Sequence, residues 1–450
     1  MTEVQLTSLE AATPADVALP LSRRAQGLRI DELNVVVEAG QAALVWFSLL
    51  VVFGSQHAVS QAALLAITLA TAVWLVALRS TLAPGRLVLG RAVSSSVGTV
   101  TGLVVVAAVN SSPVGLNASF PLLLGLALAV FGSTVVWGSV ADRTLAAKRR
   151  VLLVGTESVG ELLTEELRTS RTPRFDVVGA VPGSEELAEI VEAQRPDFVV
   201  LTDEATYGQA LERLLDARSD VRVAGLENFF EYAFGRVPVD QISPSWFLSL
   251  LHPRQRMYTR LAKRTFDIVV ALTALVLAAP VMGVLALLTK TSRGSVLYRQ
   301  TRMGEDGRPF TILKFRTMRC DAERDGAAFA GHDDPRATRV GRSVRRTHLD
   351  ELPQLWNVLK GDMSIVGPRP ERPEFIEMIE ATVPFWSRRL LVKPGITGWA
   401  QVRCGYAADC EAMETKLSYD LWYLRNRSLL VDLAVCVMTV FSVLGRPART

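Results

Sequence analysis

The stretch Arg345–Pro370, RRTHLDELPQLWNVLKGDMSIVGPRP, carries more information than any other part of the 450-residue chain. It holds an adjacent pair of carboxylates, Asp350 and Glu351, shortly after two arginines and before a rigid Pro-Arg-Pro sequence. Thr347 lies three residues before Asp350 and resembles the first residue of a capping box, so a helix is expected to begin here. The carboxylates would then lie in its first turn, where the helix dipole favours negative charge.

The surroundings of this acid pair are typical of a site that holds phosphate and a metal ion. Carboxylates among arginines stay ionised, because nearby positive charge favours the charged form. Such carboxylates can bind Mg²⁺, and arginine side chains can bind phosphate oxygens in pairs. The alternative interpretation is that the two acids only cap a surface helix, which is a common arrangement. The arginine and proline neighbours favour the site.

Cationic candidates for phosphate binding lie on both sides of the acid pair. Three arginines offer planar guanidinium groups, and one lysine adds a point charge. Prolines on either side of Arg369 restrict its backbone and favour a preorganised clamp. Asp362 is a further possible metal ligand, although a surface turn explains it equally well. The cationic candidates are Lys314, Arg316, Arg345 and Arg369.

Ordered motifs around the acid pair resemble a known family. The chain from Lys263 to near Val443 is similar to the bacterial sugar transferases, which are polyprenyl-phosphate hexose-1-phosphate transferases. The long form of that family carries a membrane bundle and a Rossmann-like domain upstream, and this chain has room for both. The matching motifs are KRTFD at 263–267, YRQ at 298–300, KFRTM at 314–318, LDELPQL at 349–355, GDMS at 361–364, GPRP at 367–370 and KPGITGW at 393–399.

The resemblance implies a particular reaction. A hexose 1-phosphate passes from a UDP-sugar to polyprenyl (undecaprenyl) phosphate and UMP leaves, as the first membrane step of exopolysaccharide or surface polysaccharide biosynthesis. The resemblance also implies Mg²⁺ as cofactor and Asp350 as a nucleophile that forms an aspartyl-phosphosugar intermediate. Glu351 would hold Mg²⁺ or position Asp350, since neighbours on a helix point about 100° apart. The alternative is a non-catalytic membrane scaffold or nucleotide-sensing regulator, which has no need to keep the acids and arginines together.

Four apolar blocks in the N-terminal part are long enough to cross a bilayer. Arginine or lysine residues precede the first block, separate the second from the third and follow the fourth, whereas the other two connections have neither. The positive-inside rule then predicts a four-helix transmembrane bundle with both ends in the cytoplasm. The predicted spans are about Val35–Phe53, Val59–Leu78, Ala92–Val109 and Ala118–Val140.

A fifth apolar block, Phe266–Leu288, has basic residues on both sides, so the positive-inside rule gives it no direction. Pro280 lies inside the block and cannot donate the helical hydrogen bond, so a kink is expected. Together with the resemblance, this favours a re-entrant helix that bends near Ala279 and Pro280 and returns to the same side of the membrane. A straight span is the alternative. The shorter apolar segment Leu429–Leu444 is predicted to be an interfacial helix.

Residues 146–250 alternate predicted strands and helices in the order β-α-β-α-β-α-β, which predicts a Rossmann-like parallel α/β domain. The turn Gly155–Gly160 keeps the first and last glycines of the dinucleotide fingerprint, but Glu157 replaces the middle one. A carboxylate there would repel a pyrophosphate, so no dinucleotide cofactor is expected. A regulatory or assembly role is the simpler interpretation of this domain.

The chain is therefore predicted to be an α/β membrane protein of three parts. These are an N-terminal region with four transmembrane helices (1–145), a Rossmann-like cytoplasmic domain (146–250) and a monotopic phosphoglycosyl transferase domain with a re-entrant helix at 266–288 (251–450). The expected partners are a UDP-sugar, polyprenyl phosphate and the lipid bilayer. The expected location is the bacterial inner (cytoplasmic) membrane, with the catalytic domain facing the cytoplasm. The net charge of +4 gives no reason to expect nucleic acid, and the four cysteines lack metal-ligand spacing. The sequence leaves open the sugar, the pathway and whether a homo-oligomer forms.

Overall fold

The computed structural model describes residues 148–444, with gaps at 170–174, 184–185, 204–206, 217–220, 251–259, 292–293, 320–321, 323–333 and 405–409. It also describes the isolated positions 40, 42, 43, 45, 46 and 71. Apart from those positions, the four predicted N-terminal membrane helices lie outside the described residues. Within 148–444 the chain forms two compact units, which divide between Phe229 and Phe230.

A four-stranded parallel sheet forms the first unit. Its elements are β1 (Arg149–Val154), α1 (Glu157–Thr169), β2 (Phe175–Val181), α2 (Leu187–Gln194), β3 (Phe198–Leu201), α3 (Tyr207–Asp216) and β4 (Arg222–Gly225). The strand order is β2-β1-β3-β4, and each neighbouring pair is parallel. This confirms the parallel α/β arrangement predicted for the middle of the chain.

The composition of the two central strands fits their position in the sheet. Strands β1 and β3 are almost continuously apolar, as expected for parallel strands that are covered on both faces. All four residues of β3 are buried, as are the last four of β1. Gly155 follows β1 with a φ of 124°, a conformation that favours glycine.

The second unit contains the acid pair. Its elements are α4 (Leu226–Phe234, which begins in the first unit), α5 (Pro244–Ser249), α6 (Arg260–Lys290), β5 (Leu297–Met303), β6 (Pro309–Phe315), α7 (Arg339–Arg346), α8 (Gln354–Lys360), β7 (Ser364–Val366), α9 (Pro373–Glu380), β8 (Gly395–Thr397), α10 (Trp399–Cys404), α11 (Cys410–Asn426) and α12 (Leu429–Leu444). Short 3₁₀ turns lie at Val239–Gln241, Glu305–Gly307, Leu349–Glu351 and Trp386–Leu391. Strands β5 and β6 form an antiparallel hairpin, and β7 pairs with β8 in parallel.

Tryptophan side chains form the centre of the core in the second unit. Trp386, Trp399 and Trp422 are fully buried, and the rings of the last two are stacked with centroids 4.7 Å apart. The Trp399 indole N–H donates to the carbonyl oxygen of Gly235 at 2.7 Å, which satisfies its buried polar atom. Trp246, from the range predicted for the middle domain, is also buried in this core.

The GPRP and KPGITGW motifs meet in this unit, where two glycines permit a close backbone approach. The Gly367 N–H donates to the carbonyl oxygen of Thr397, and the Gly395 N–H donates to that of Pro368, each at 2.9 Å. A Cβ atom on Gly367 would collide with the Lys393 carbonyl oxygen, and one on Gly395 would collide with the backbone of Gly367. Only glycine fits at these two positions, so both motifs serve to position the Pro-Arg-Pro loop.

Among the described residues, α6 is the helix that is long and apolar enough to cross a membrane. It contains the predicted segment Phe266–Leu288 and continues through Ala279 and Pro280 without interruption, so the predicted bend stays a prediction. Val276 and Leu277 are about three-quarters exposed, at 73% and 74%, so the middle of the helix presents an apolar surface.

Both ends of α6 contact the second unit. Near its beginning, the Lys263 ammonium donates to the carbonyl oxygen of Val366 at 3.1 Å. Near its end, Leu285 is buried in a cluster with Phe315 and Val344. The helix therefore begins and ends on the same compact body, with its exposed apolar stretch between.

Candidate active site

The acid pair lies on a short 3₁₀ turn between two helices, and the predicted capping box is wrong. Helix α7 ends at Arg346, and the Thr347 hydroxyl donates back to the carbonyl oxygen of Val344 at 3.0 Å. Thr347 therefore closes α7 instead of starting a helix. His348 follows in the left-handed region, with a φ of 56°, and turns the chain into Leu349–Glu351. This turn places the two carboxylates, and α8 begins only after them.

Two cations hold Glu351. Its Oε1 atom lies 2.7 Å from the Lys314 ammonium and 3.1 Å from Nη2 of Arg369. Burial alone would raise the pKa of Glu351, but the charges of Lys314 and Arg369 hold it well below its usual range. Glu351 is therefore ionised at neutral pH, and its charge is matched within the protein.

Asp350 lies beside Glu351, and the charges of Lys314 and Arg369 act on it too, but they do not outweigh the effect of its burial. It is buried, and none of the ion pairs between described residues includes it. Burial, followed by the negative charge of Glu351, raises the pKa of Asp350 to about 6. Two neighbouring carboxylates with pKa values pushed apart have separate chemical roles, and Asp350 is the more basic of the two.

The amide of Asn357 fixes the distance between the acid turn and the hairpin. Its Nδ2 donates to the carbonyl oxygen of Thr311 at 2.7 Å, and its Oδ1 accepts from the Leu313 N–H at 3.0 Å. These bonds attach α8 to β6, the strand that carries Lys314. The contact between Lys314 and Glu351 therefore depends on a buried amide whose role was not predicted from the sequence.

Two other predicted phosphate-binding arginines interact with groups outside the acid pair. Arg345 acts electrostatically on Asp334, and Arg316 donates to the carbonyl oxygen of Thr289 at the end of α6, at 3.3 Å. Asp362 pairs with the exposed Lys360 at 3.0 Å, which favours the surface-turn interpretation. The predicted residues that the structure brings together are Lys314, Asp350, Glu351 and Arg369.

Comparisons with known proteins show the family to which this chain belongs. The sequence profile of a family described as bacterial sugar transferase matches residues 258–446, which include every residue of the site. The chain is also 34% identical over 312 residues to the UDP-glucose:undecaprenyl-phosphate glucose-1-phosphate transferase of Escherichia coli (strain K12), covering 65% of this chain and 67% of that protein. The chain belongs to the bacterial sugar transferase family, a family of enzymes.

Two further relatives extend the comparison. This sugar transferase is 40% identical over 257 residues to the UDP-N-acetylgalactosamine-undecaprenyl-phosphate N-acetylgalactosaminephosphotransferase of Aeromonas hydrophila, over 56% of this chain and 60% of that protein. It is 42% identical over 228 residues to the UDP-glucose:undecaprenyl-phosphate glucose-1-phosphate transferase of Caulobacter vibrioides, over 49% of this chain and 85% of that protein. The match thus spans less than two thirds of the Aeromonas relative and most of the Caulobacter one.

The charged groups at the base of α6 in this sugar transferase were not predicted from the sequence. Lys263 Nζ lies 2.5 Å from Oδ2 of Asp432, and Asp267 Oδ1 accepts from the Ser364 hydroxyl at 2.9 Å and the Ile365 N–H at 3.0 Å. These bonds join α6 to α12 and β7. A signal was present, because both acids interrupt apolar helices, and a buried acid requires a partner.

A second missed group lies behind the Pro-Arg-Pro loop. It consists of charged side chains from four separate parts of the chain that are mostly hidden from solvent. No local sequence pattern predicts this group, because its members come from distant segments that only folding brings together. The members are Arg302, Glu371, Arg389, Lys416 and Asp420.

Proposed function

We propose that this sugar transferase moves a hexose 1-phosphate from a UDP-sugar to undecaprenyl phosphate and releases UMP, as the first membrane step of exopolysaccharide or surface polysaccharide biosynthesis. The names of its relatives support a UDP-sugar donor and an undecaprenyl phosphate acceptor. Those names differ in the sugar, so no particular hexose is assigned. The observation that carries the proposed reaction is the split between Asp350 and Glu351, one unmatched and one neutralised by two cations.

Asp350 is proposed as the nucleophile. Its raised pKa makes it the more basic carboxylate, yet at neutral pH it is still mainly ionised. One Asp350 oxygen attacks the β-phosphorus of the donor, the bond from that phosphorus to the UMP oxygen breaks, and UMP leaves with the electron pair. An oxygen of the acceptor phosphate then attacks the same phosphorus, and the bond to Asp350 breaks to restore its carboxylate.

The cations of the site are proposed to bind the donor diphosphate. Lys314 and Arg369 already share one oxygen of Glu351, so both point toward the turn that carries Asp350. Burial lowers the pKa of Lys314, while the charge of Glu351 opposes this change. Glu351 thus favours the charged form of Lys314 and contacts Arg369 as well, an arrangement that suits a phosphate clamp.

The donor set also fits Mg²⁺. Among the described residues no group of three or more acidic, histidine or cysteine side chains could form a complete metal cage. Mg²⁺ does not need one, because it commonly takes one or two carboxylates together with substrate phosphates and water. Asp350 and Glu351 would hold the ion, and a cation beside Asp350 would offset the effect of its burial near a like charge. When bound, Mg²⁺ supplies positive charge that neutralises the diphosphate.

Helix α6 is proposed to enter and leave the bilayer on the cytoplasmic side. Its 31 residues would extend about 46 Å if straight, enough to cross a hydrocarbon core of about 30 Å. A crossing helix carries its ends to opposite sides, whereas Lys263 and Leu285 both contact the second unit. This supports a re-entrant helix that bends near Ala279 and Pro280 and keeps the site at the depth of the lipid phosphate.

Incubation without acceptor tests the nucleophile. The full chain in nanodiscs is mixed with each of a panel of UDP-sugars and Mg²⁺, and UMP and the intact protein mass are measured. For the sugar that turns over, wild type is expected to release about one UMP per site and to gain one hexose phosphate, as covalent catalysis requires. Asp350→Asn is expected to do neither.

Two other outcomes are informative. UMP that appears only after undecaprenyl phosphate is added would mean direct attack by the acceptor, with Asp350 as a ligand. A panel on which no UDP-sugar turns over, with folded protein and both lipid and Mg²⁺ present, would favour the alternative of a non-catalytic scaffold or nucleotide-sensing regulator.

A further inference from the structure

Five charged side chains lie behind the loop that carries Arg369, and the proposed chemistry uses none of them. Four of these residues are less than a tenth exposed to solvent, and the side chain of the fifth, Arg302, is 17% exposed. They come from β5, the segment after the loop, the turn Trp386–Leu391 and helix α11. We call Arg302, Glu371, Arg389, Lys416 and Asp420 the loop network.

The loop network holds the backbone of the Pro-Arg-Pro loop directly. Three consecutive carbonyl oxygens, those of residues 369–371, accept hydrogen bonds from other parts of the unit. Their donors are the Arg389 guanidinium at 2.9 Å, the Arg302 guanidinium at 3.1 Å and the Met303 N–H at 3.0 Å. On its other edge the same loop pairs with β8, so its backbone has no freedom to shift alone.

The Glu371 carboxylate holds the cations of this network together. Its Oε1 lies 2.5 Å from the Lys416 ammonium and 3.6 Å from Arg389 Nη1, and its Oε2 lies 3.8 Å from Arg302 Nη1. Burial would raise the pKa of Glu371, but Lys416 and Arg389 lower it to about 2. Glu371 is therefore ionised at neutral pH.

Arg389 has the central position. Its Nη2 bonds the Arg369 carbonyl oxygen and lies 2.7 Å from Oδ2 of Asp420, while its Nη1 faces Glu371. Its guanidinium carbon lies 4.3 Å from the centre of the Trp386 ring. A planar fork can meet these partners at once, whereas a single ammonium cannot.

Stability alone is a weak explanation for this network. Removing charges from water is costly, and well-packed apolar residues of similar volume often stabilise a core as well or better. What apolar residues cannot supply is the pair of directed side-chain bonds to the carbonyl oxygens of residues 369 and 370. The first of these residues, Arg369, is the one whose side chain reaches Glu351.

We propose that Arg389, aligned by Asp420 and Glu371, is a positioning residue that sets the Arg369 guanidinium against Glu351 and the donor diphosphate. The inference rests on the proposed function. Because misplacing a catalytic group by about 1 Å can cost about 10²-fold, small distortions of the loop are expected to lower the rate without unfolding the protein.

Conservative variants test this inference. Arg389→Lys keeps the charge and loses the fork, and Asp420→Asn keeps the shape and loses the charge that aligns Arg389. Both are expected to lower kcat/KM for the UDP-sugar, by about 10- to 100-fold for Arg389→Lys and by less for Asp420→Asn. Arg388→Lys, at the exposed neighbour, is the matched control and is expected to leave kcat/KM within about twofold of wild type.

A double substitution distinguishes positioning from general support of the fold. If the network acts through Arg369, adding Asp420→Asn to Arg369→Ala should cause little further loss of kcat/KM. Multiplicative losses, or full activity in both Arg389→Lys and Asp420→Asn, would overturn the inference. If Arg389→Lys does not fold, Asp420→Asn alone and in the Arg369→Ala background decides the matter. Absence of turnover in wild type and Arg388→Lys would instead count against the proposed function.

Discussion

Two pairs of buried carboxylates in this chain differ in how the protein satisfies their charges. At the base of α6, Asp267 accepts from a hydroxyl and a backbone N–H, and Asp432 accepts from Lys263 and the Tyr423 hydroxyl. In the active site, the charge of Glu351 is matched by two cations, while Asp350 lies beside it outside any described ion pair.

The difference shows how one chain uses buried acids for two purposes. An acid whose oxygens are satisfied by the protein joins elements together, and its loss is a loss of structure. An acid left unmatched beside a like charge is costly to keep ionised, and such sites are candidates for chemistry. Substitutions at the base of α6 should therefore reduce mainly stability, whereas substitutions in the active site should reduce mainly turnover.

Asp350→Asn is expected to abolish turnover, with a fall in kcat on the order of 10³-fold or more, because an amide cannot serve as the nucleophile. Its thermal unfolding at pH 8 should be unchanged or slightly higher. Because the folded-state pKa of Asp350 is raised to about 6, any stability from its protonated form is lost as pH rises through that value, and ionised Asp350 is a burden above it. Asp267→Asn is the matched contrast and should lose stability; the reverse pattern would refute the distinction.

Lys263→Met is expected to destabilise the second unit by about 3–5 kcal/mol, because it leaves Asp432 buried without its cation. Lys360→Met removes the pair with Asp362, in which the Lys360 side chain is 65% exposed, and should cost less than about 1 kcal/mol. Guanidinium unfolding in detergent, followed by tryptophan fluorescence, measures both. Equal losses in the two variants would show that burial does not separate these pairs.

Arg369→Lys is expected to lower kcat/KM for the UDP-sugar about 10- to 100-fold, although it keeps the charge. The planar fork can bind Glu351 and a phosphate oxygen together, and an ammonium cannot reproduce that geometry. Steady-state UMP release at several donor concentrations measures the loss. Wild-type kinetics in this variant would remove the guanidinium clamp from the mechanism.

The pH dependence should follow Asp350. Its pKa is raised to about 6 without bound Mg²⁺, and the ionised form is the nucleophile, so kcat/KM should fall about tenfold per pH unit below about 6, or below a lower pH where bound Mg²⁺ offsets the effect of burial. The negative charge of Glu351 contributes to this raised pKa, so Glu351→Gln should move the acid limb to lower pH while it lowers the maximum. A limb that stays in place or moves upward would mean that another group limits the rate.

The acid pair itself could be predicted from the sequence because its members are neighbours. Asp350 and Glu351 are adjacent. Lys314 and Arg369 belong to motifs that occur in order on either side of the pair, so they could be associated with it. The alternation of strands in the middle domain was equally predictable, since fully covered parallel strands are short apolar runs. The capping box failed because Thr347 followed by Asp350 is a local pattern, whereas His348 adopts a left-handed conformation that no such pattern reveals.

Other features depended on contacts between distant segments. Sequence alone could not distinguish the arginine that reaches Glu351 from Arg316 and Arg345, because all three are cations near the acid pair. What distinguishes Arg369 is the direction in which its side chain points. That direction is set by its loop, which can approach β8 closely because residues 367 and 395 are glycines.

The sequence by itself determined the chemistry available to this protein: two adjacent acids, a set of arginines, an apolar helix and a parallel α/β domain. Only the tertiary structure decided which acid is matched and which is not, because the pKa of a buried carboxylate depends on charges contributed by distant segments. The loop network is the clearest case. Arg302, Arg389 and Asp420 lie far apart in the sequence, and only folding brings them together and excludes water around them. Their charges then have to satisfy one another, and in doing so they fix the loop that carries Arg369.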